Sequence, residues 1–69
     1  MNKIYMFDNG RLEVKIRKVK GEYEPMEKDK SALFEQFHSK RFKGTKEFYN
    51  SIDEVLERYK LIYGKYRVQ

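Results

Sequence analysis

The last third of the chain has the apolar spacing of an amphipathic α-helix. Its large apolar residues recur at intervals of three and four, so they share one side of a helix with about 3.6 residues per turn. These residues are Ile52, Val55, Leu56, Tyr59, Ile62, Tyr63 and Tyr66. Ser51 and Glu54 form a capping box, in which each side chain satisfies a backbone N–H at the start of a helix. The pattern predicts a helix within Asn50 to Tyr66 whose apolar stripe packs in the core, and Gly64 is expected to loosen or end its last turn.

Residues 3–19 alternate between apolar and charged positions around an Asn-Gly pair, which is typical of a tight β-hairpin. A two-residue turn pairs Phe7 with Leu12, and we favour it because Asn-Gly tolerates the positive φ angles of such turns. Two large side chains, Ile4 and Met6, then lie on the charged face. A three-residue loop would shift the register by one residue and bring Ile4 and Met6 into the core instead.

The middle of the chain predicts a third strand and a second helix. The stretch from Glu22 to Glu24 is a candidate for a short strand, which Pro25 would limit to the edge of the sheet. Asp29 or Ser31 is a candidate N-cap for a helix that runs to about Arg41.

These elements predict one small domain of the α+β class, residues 1–69. We expect an N-terminal antiparallel β-hairpin, with or without a third strand, and two α-helices packed on one face of the sheet. Six Tyr and five Phe give the chain enough apolar bulk to fold, although 39% of its residues are charged. A chain of 69 residues buries little of its surface, so its core must be thin.

Net charge and cysteine content indicate which partners and which cellular compartment to expect. The formal net charge is +5, which favours association with polyanions or with acidic protein surfaces. The chain has no cysteine and therefore no disulfide framework, and we expect a cytoplasmic protein. No apolar run is long enough to span a bilayer, so we expect no membrane partner.

The titratable residues give no sign of an active site. His38 is the only histidine, which rules out a metal site with two histidine ligands. The four glycines are isolated from one another and form no Gly-rich phosphate loop. We therefore expect a protein without catalytic residues, cofactor or metal.

The surplus of apolar residues on the hairpin indicates a binding function. In the favoured register, Ile4 and Met6 share a face with Lys15 and Arg17, so apolar anchors lie within a basic rim. We expect these side chains to contact a partner protein. The abundance of lysine, tyrosine and isoleucine is typical of AT-rich genomes, including those of low-GC bacteria and their phages. The hypothesis is a small inhibitor or regulator of the phage or mobile-element type that occludes a host protein, such as one that handles nucleic acid.

Two alternative functions fit the same sequence. One is direct binding of DNA or RNA, in which basic residues neutralise phosphates and aromatic rings stack on bases. Its candidate residues are Lys18, Lys20, Lys40, Arg41, Lys43, Lys46, Tyr63 and Tyr66. The other is a structural homodimer, in which the surplus apolar residues or a sheet edge pair with a second copy.

Overall fold

The computed structural model describes residues 3–31, 33–38 and 40–69. In this part of the chain, five strands form an antiparallel sheet and one α-helix packs against it. The elements are β1 Tyr5–Phe7, β2 Leu12–Val19, β3 Glu22–Asp29, β4 Lys43–Gly44, α1 Ile52–Tyr63 and β5 Arg67–Val68. The strand order across the sheet is β4-β3-β2-β1-β5. The predicted α+β class is confirmed, with more strands and fewer helices than expected.

The N-terminal hairpin has the register that the Asn-Gly turn predicts. Phe7 pairs with Leu12, as expected for a two-residue turn. Within the turn, Asn9 has φ 56° and Gly10 has φ 84°, and both values lie in the left-handed region that this kind of turn needs. The alternation along β1 and β2 therefore sorts the side chains between the two faces as the favoured register requires.

The third strand corrects the sequence prediction, because β3 continues through Pro25 and lies inside the sheet, between β2 and β4. Tyr23 exchanges backbone hydrogen bonds of 2.8 and 2.9 Å with Tyr49, and the Pro25 carbonyl accepts one from the Thr45 N–H at 3.1 Å. These groups all point towards β4. The backbone N–H that proline lacks would point to the same side, where only a short stretch of β3 pairs with β4. The eight residue pairs between β2 and β3 lie on the other side of the strand and therefore form without this N–H.

The prediction of a second helix that starts at Asp29 or Ser31 is wrong. Asp29 is the last residue of β3, and its carboxylate accepts a hydrogen bond from the Ser31 N–H at 2.8 Å. Beyond it, Glu35–Phe37 form a short 3-10 turn, while Ala32 and Ser39, which the prediction included, lie outside the described residues. An isolated helix of the predicted length, ending near Arg41, is marginal in water unless its apolar side is buried. The apolar side chains Leu33, Phe34 and Phe37 of this segment are exposed.

The helix α1 begins where the capping box predicts. The Ser51 hydroxyl accepts a hydrogen bond from the Glu54 N–H at 3.2 Å, and the Glu54 carboxylate accepts one from the Asn50 N–H at 2.9 Å. The helix ends at Tyr63, before the predicted limit, because Gly64 follows with φ 84°. Glycine is favoured at such a position because it adopts positive φ without steric cost.

The core lies between α1 and one face of the sheet. Its buried apolar residues are Tyr5, Phe7, Leu12, Val14, Val55, Leu56 and Tyr59. The helix therefore buries the middle of its predicted stripe, while Ile52 and Ile62 towards its two ends remain exposed.

Phe7 is the centre of this core. It is fully buried, and its ring centroid lies 5.4 Å from the ring centroids of both Tyr59 and Tyr66. The Tyr59 hydroxyl donates a hydrogen bond to the Glu27 carboxylate on β3. Burial first, and then this hydrogen bond, raise the pKa of Tyr59 well above its ordinary value. The hydroxyl therefore remains a donor and joins α1 to the sheet.

Replacing Phe7 by alanine tests how much the fold depends on this ring. We expect Phe7→Ala to lower the free energy of unfolding by about 3–5 kcal/mol, because it removes a fully buried aromatic side chain and leaves a cavity. The matched control is Phe34→Ala, which removes the same side chain where it is 58% exposed and should change stability by less than about 0.5 kcal/mol. Urea denaturation of dilute protein measures both. Equal losses in the two variants would contradict this account of the core.

Candidate binding surface

The sheet has a second face, on the side away from α1. Side chains alternate along a strand, so the neighbours of the core residues point to this side. We call it the open face, and it comprises Ile4, Met6, Glu13, Lys15, Arg17, Glu24, Met26 and Lys28, together with Phe42, whose ring lies beside Lys15 and Lys28. Ile4, Met6, Met26 and Phe42 are half-buried. The open face thus presents partly exposed apolar groups among charges.

Phe42 forms an aromatic platform on the open face. The Lys15 ammonium lies 4.4 Å from the centroid of its ring, and the Lys28 ammonium lies 5.8 Å from it. Cations at such distances are attracted to the electron-rich face of an aromatic ring. Neither ammonium forms an ion pair with a carboxylate anywhere in the described part of the chain. Both charges therefore remain available to an acidic partner.

Two carboxylates of the open face, those of Glu13 and Glu24, are already engaged within the protein. Glu13 accepts from the Lys30 ammonium at 2.9 Å. Glu24 accepts from Arg17 Nε at 2.7 Å and from the backbone N–H of Lys46 at 2.8 Å. The ion pairs neutralise both carboxylates, so the region around Phe42, with Lys15 and Lys28, offers positive charge to a partner.

Glu24 connects β2, β3 and the segment after β4. Its side chain is only 2% exposed, which is unusual for a carboxylate. The Arg17 guanidinium that donates to it, followed by the Lys46 N–H, holds the pKa of Glu24 below its ordinary value of 4.5, although burial acts in the opposite direction. Gly44 leaves room for this arrangement, because a Cβ atom there would lie 2.5 Å from Oε2 of Glu24.

The structure brings together the residues that the sequence singled out for protein binding. Ile4, Met6, Lys15 and Arg17 all lie on the open face, where Arg17 is exposed and the others are half-buried. Sequence reasoning missed further members of this face, among them Met26, Lys28 and Phe42. Met26 pairs with Lys15 across β2 and β3. The signal was the alternation beyond Pro25, which the expected end of the third strand concealed.

The residues of the nucleic-acid alternative are spread over three regions. Lys18 lies near the end of β2 and Lys20 lies in the turn that follows. The exposed side chains of Lys40, Arg41, Lys43 and Lys46 lie along and around β4. Tyr63 and Tyr66 lie on the helix side of the sheet, where their ring centroids are 6.1 and 5.4 Å from that of Phe7. The ring of Tyr66 also packs against Tyr5. The two tyrosines thus contact the core rather than the basic segments.

A second group of apolar side chains lies outside the sheet. In the segment 33–38, which we call the apolar loop, the exposed fractions are 91% for Leu33, 58% for Phe34 and 68% for Phe37. The rings of Phe34 and Phe37 meet edge to face, with centroids 6.2 Å apart. The chain on each side of this loop is attached to the open face, through Lys30 on one side and Phe42 on the other.

The described residues contain neither a cluster of metal ligands nor a long apolar helix. No three His, Asp or Glu side chains there converge on a position for a metal ion. The same residues include no helix with the length and apolar character that crossing a bilayer requires.

The lowered pKa of Glu24 predicts a pH-dependent contribution to stability. Because the folded-state pKa lies below the ordinary value, the stabilisation is complete above pH about 4.5 and is lost as the pH falls through the folded-state pKa. We expect Glu24→Gln to have a lower Tm than the wild type at neutral pH, and the difference to shrink on acidification. Glu22→Gln, at an exposed position on the same strand, is the control. A Tm difference that stays constant down to acidic pH would exclude a charged Glu24 as its source.

The space at Gly44 gives an independent test of the same arrangement. Gly44→Ala should lower Tm by several degrees, because the new Cβ displaces the Glu24 carboxylate from Arg17 and Lys46. In a Glu24→Ala background the obstacle is absent, so adding Gly44→Ala should cost much less. Such non-additivity is the mark of a direct contact. Equal costs of Gly44→Ala in both backgrounds would mean that the glycine serves another purpose.

Comparison of the chain with protein-family models, with curated proteins and with solved structures found no match. Function must therefore be inferred from the side chains of the open face and their surroundings.

Proposed function

We propose that the protein is a non-catalytic binding protein that covers a surface of another protein with its open face. The observation that carries this proposal is the Phe42 platform, where the ammonium groups of Lys15 and Lys28 flank an aromatic ring without any carboxylate partner among the described residues. Aromatic and apolar anchors surrounded by charge are typical of the energetic centre of protein interfaces. A partner that fits this face has an apolar patch bordered by acidic residues.

The proposed contact residues are held by a rigid scaffold. Eight residue pairs join β2 to β3, and these strands carry Lys15, Arg17, Met26 and Lys28. The Arg17–Glu24 ion pair further restrains one of these side chains. Side chains that are already ordered lose less conformational entropy on binding. A preorganised face of this kind supports tight binding from a small contact area.

The size of the protein also suits occlusion. A standard interface buries about 800 Å² on each partner, and the accessible surface of the chain is 5462 Å². About one seventh of that surface is sufficient, which is compatible with one face of the sheet. The role that follows is an inhibitor or regulator that blocks a surface of a host protein, as expected for a small protein of the phage or mobile-element type.

Affinity capture with matched variants tests this proposal. The immobilised chain is exposed to a nuclease-treated host extract, and bound protein is compared between variants. We expect Met6→Lys and Lys15→Glu, on the open face, to reduce capture at least about tenfold. Lysine is tolerated at position 6 because its cross-strand partner is Glu13. Ile62→Lys and Lys65→Glu make the same chemical changes at exposed positions outside the open face and should retain capture.

Circular dichroism and Tm establish that each variant is folded before capture is compared. Equal capture by the open-face variants and their controls would contradict the proposed surface. Capture that occurs only when nuclease is omitted would show that nucleic acid bridges the contact, and would contradict direct recognition of a protein.

A further inference from the structure

An apolar groove with an acidic border runs along α1, between the helix and Tyr49. Its lining consists of Tyr49, Asp53, Glu54, Glu57, Arg58 and Leu61. Leu61 is the largest aliphatic side chain in this lining, and it is 80% exposed to solvent. Three carboxylates face one guanidinium here, so the groove is negative while the protein as a whole is positive. A ligand that suits it is apolar and carries positive charge.

The same chain exposes a segment with this chemistry. The apolar loop presents Leu33, Phe34 and Phe37, and the exposed residues Lys40 and Arg41 follow shortly after it. Leu33, at 91% exposure, lies open to solvent in the monomer. Exposed apolar groups grouped in this way are uncommon on monomeric proteins and mark contact sites.

We propose that the apolar loop of one copy binds the groove along α1 of a second copy. Phe34 and Phe37 supply the apolar contact to Tyr49 and Leu61. Lys40 and Arg41 meet the carboxylates of Asp53 and Glu57. If each copy gives its loop to the other, the two contacts are equivalent and the assembly closes as a dimer. This inference does not depend on the proposed function, because neither the loop nor the groove belongs to the open face.

Sedimentation velocity of the full chain, from micromolar to millimolar concentration, tests the proposal. We expect a monomer–dimer equilibrium that weakens when salt is added, because part of the contact is between exposed charges. Phe37→Ser should raise the dimer Kd at least about tenfold, since it removes an aromatic anchor. Ile62→Ser, which removes an exposed apolar group outside the groove lining, is the matched control and should leave Kd unchanged.

A charge exchange tests the pairing itself. One variant combines Lys40→Glu with Arg41→Glu, and the other combines Asp53→Lys with Glu57→Lys. Each should be monomeric alone, because like charges then meet across the contact. When mixed, the acidic loop of the first should bind the basic groove of the second and restore a heterodimer, measured by fluorescence anisotropy of the labelled first variant. The double variant Lys3→Glu, Lys65→Glu has the same net charge as the first. It should bind the second variant more weakly than the first does, because its basic loop meets the basic groove of the second and only one of the two contacts remains.

Circular dichroism confirms that α1 is retained in the groove variant, and Glu57→Lys alone replaces it if the helix is lost. A chain that stays monomeric at every concentration would overturn the proposal, as would a heterodimer that forms equally well with the charge-matched control. Sedimentation of the monomeric chain with vesicles of anionic phospholipid, abolished by Phe37→Ser, would overturn it in favour of a lipid surface as the occupant of the loop. Loss of dimerisation would leave capture by the open face unaffected.

Discussion

A helix of twelve residues has to cover one face of the sheet, and this requirement shapes the core. The space is filled mainly by aromatic side chains, because a few large rings bury more apolar area than the same number of aliphatic residues. Phe7 makes this possible by contacting Tyr59 from the helix and Tyr66 from the approach to β5. One side chain of the hairpin thus joins three parts of the chain, and the Tyr59–Glu27 hydrogen bond fixes the helix against β3.

Because α1 covers the core side of the sheet, the open face has to be stable in contact with water. The chain achieves this with local charge pairs rather than with a second layer. Glu24 and Glu13 are neutralised by Arg17 and Lys30, and the ammonium groups of Lys15 and Lys28 lie over the ring of Phe42. Exposed ion pairs contribute little on their own, but the buried Glu24 needs its partners because an unpaired buried carboxylate is costly. The same pairing leaves the positive groups unbalanced, which is what a binding surface for an acidic partner needs.

Local signals in the sequence were sufficient for the hairpin and for α1. The Asn-Gly turn determines the register of β1 and β2, and Ser51 with Glu54 marks the start of the helix, because each depends only on neighbouring residues. The parts that failed depend on distant contacts. Whether Pro25 ends a strand depends on which neighbour lies on the side of its missing N–H, and this neighbour, β4, comes some twenty residues later. The prediction of a second helix failed for the converse reason. Its local pattern was favourable, but among the described residues of that segment the apolar side chains of Leu33, Phe34 and Phe37 are exposed.

The same difference between local signals and distant contacts decides which residues of the candidate site could be predicted. Ile4, Met6, Lys15 and Arg17 could be placed on one face because the hairpin register was enough to do so. Phe42 could not, since its position depends on β4 pairing with β3, and the sequence between them gives no turn signal that fixes this register.

The edges of the sheet bear on how copies of this chain can meet. The outermost strands, Lys43–Gly44 and Arg67–Val68, are two residues each, and each carries a basic side chain. Short edges with positive charges resist the addition of further strands, because they offer few free backbone groups and repel an identical edge. A homodimer built by joining sheet edges is therefore disfavoured. The contact that we propose between copies uses side chains instead, which the described residues offer in the apolar loop and in the groove along α1.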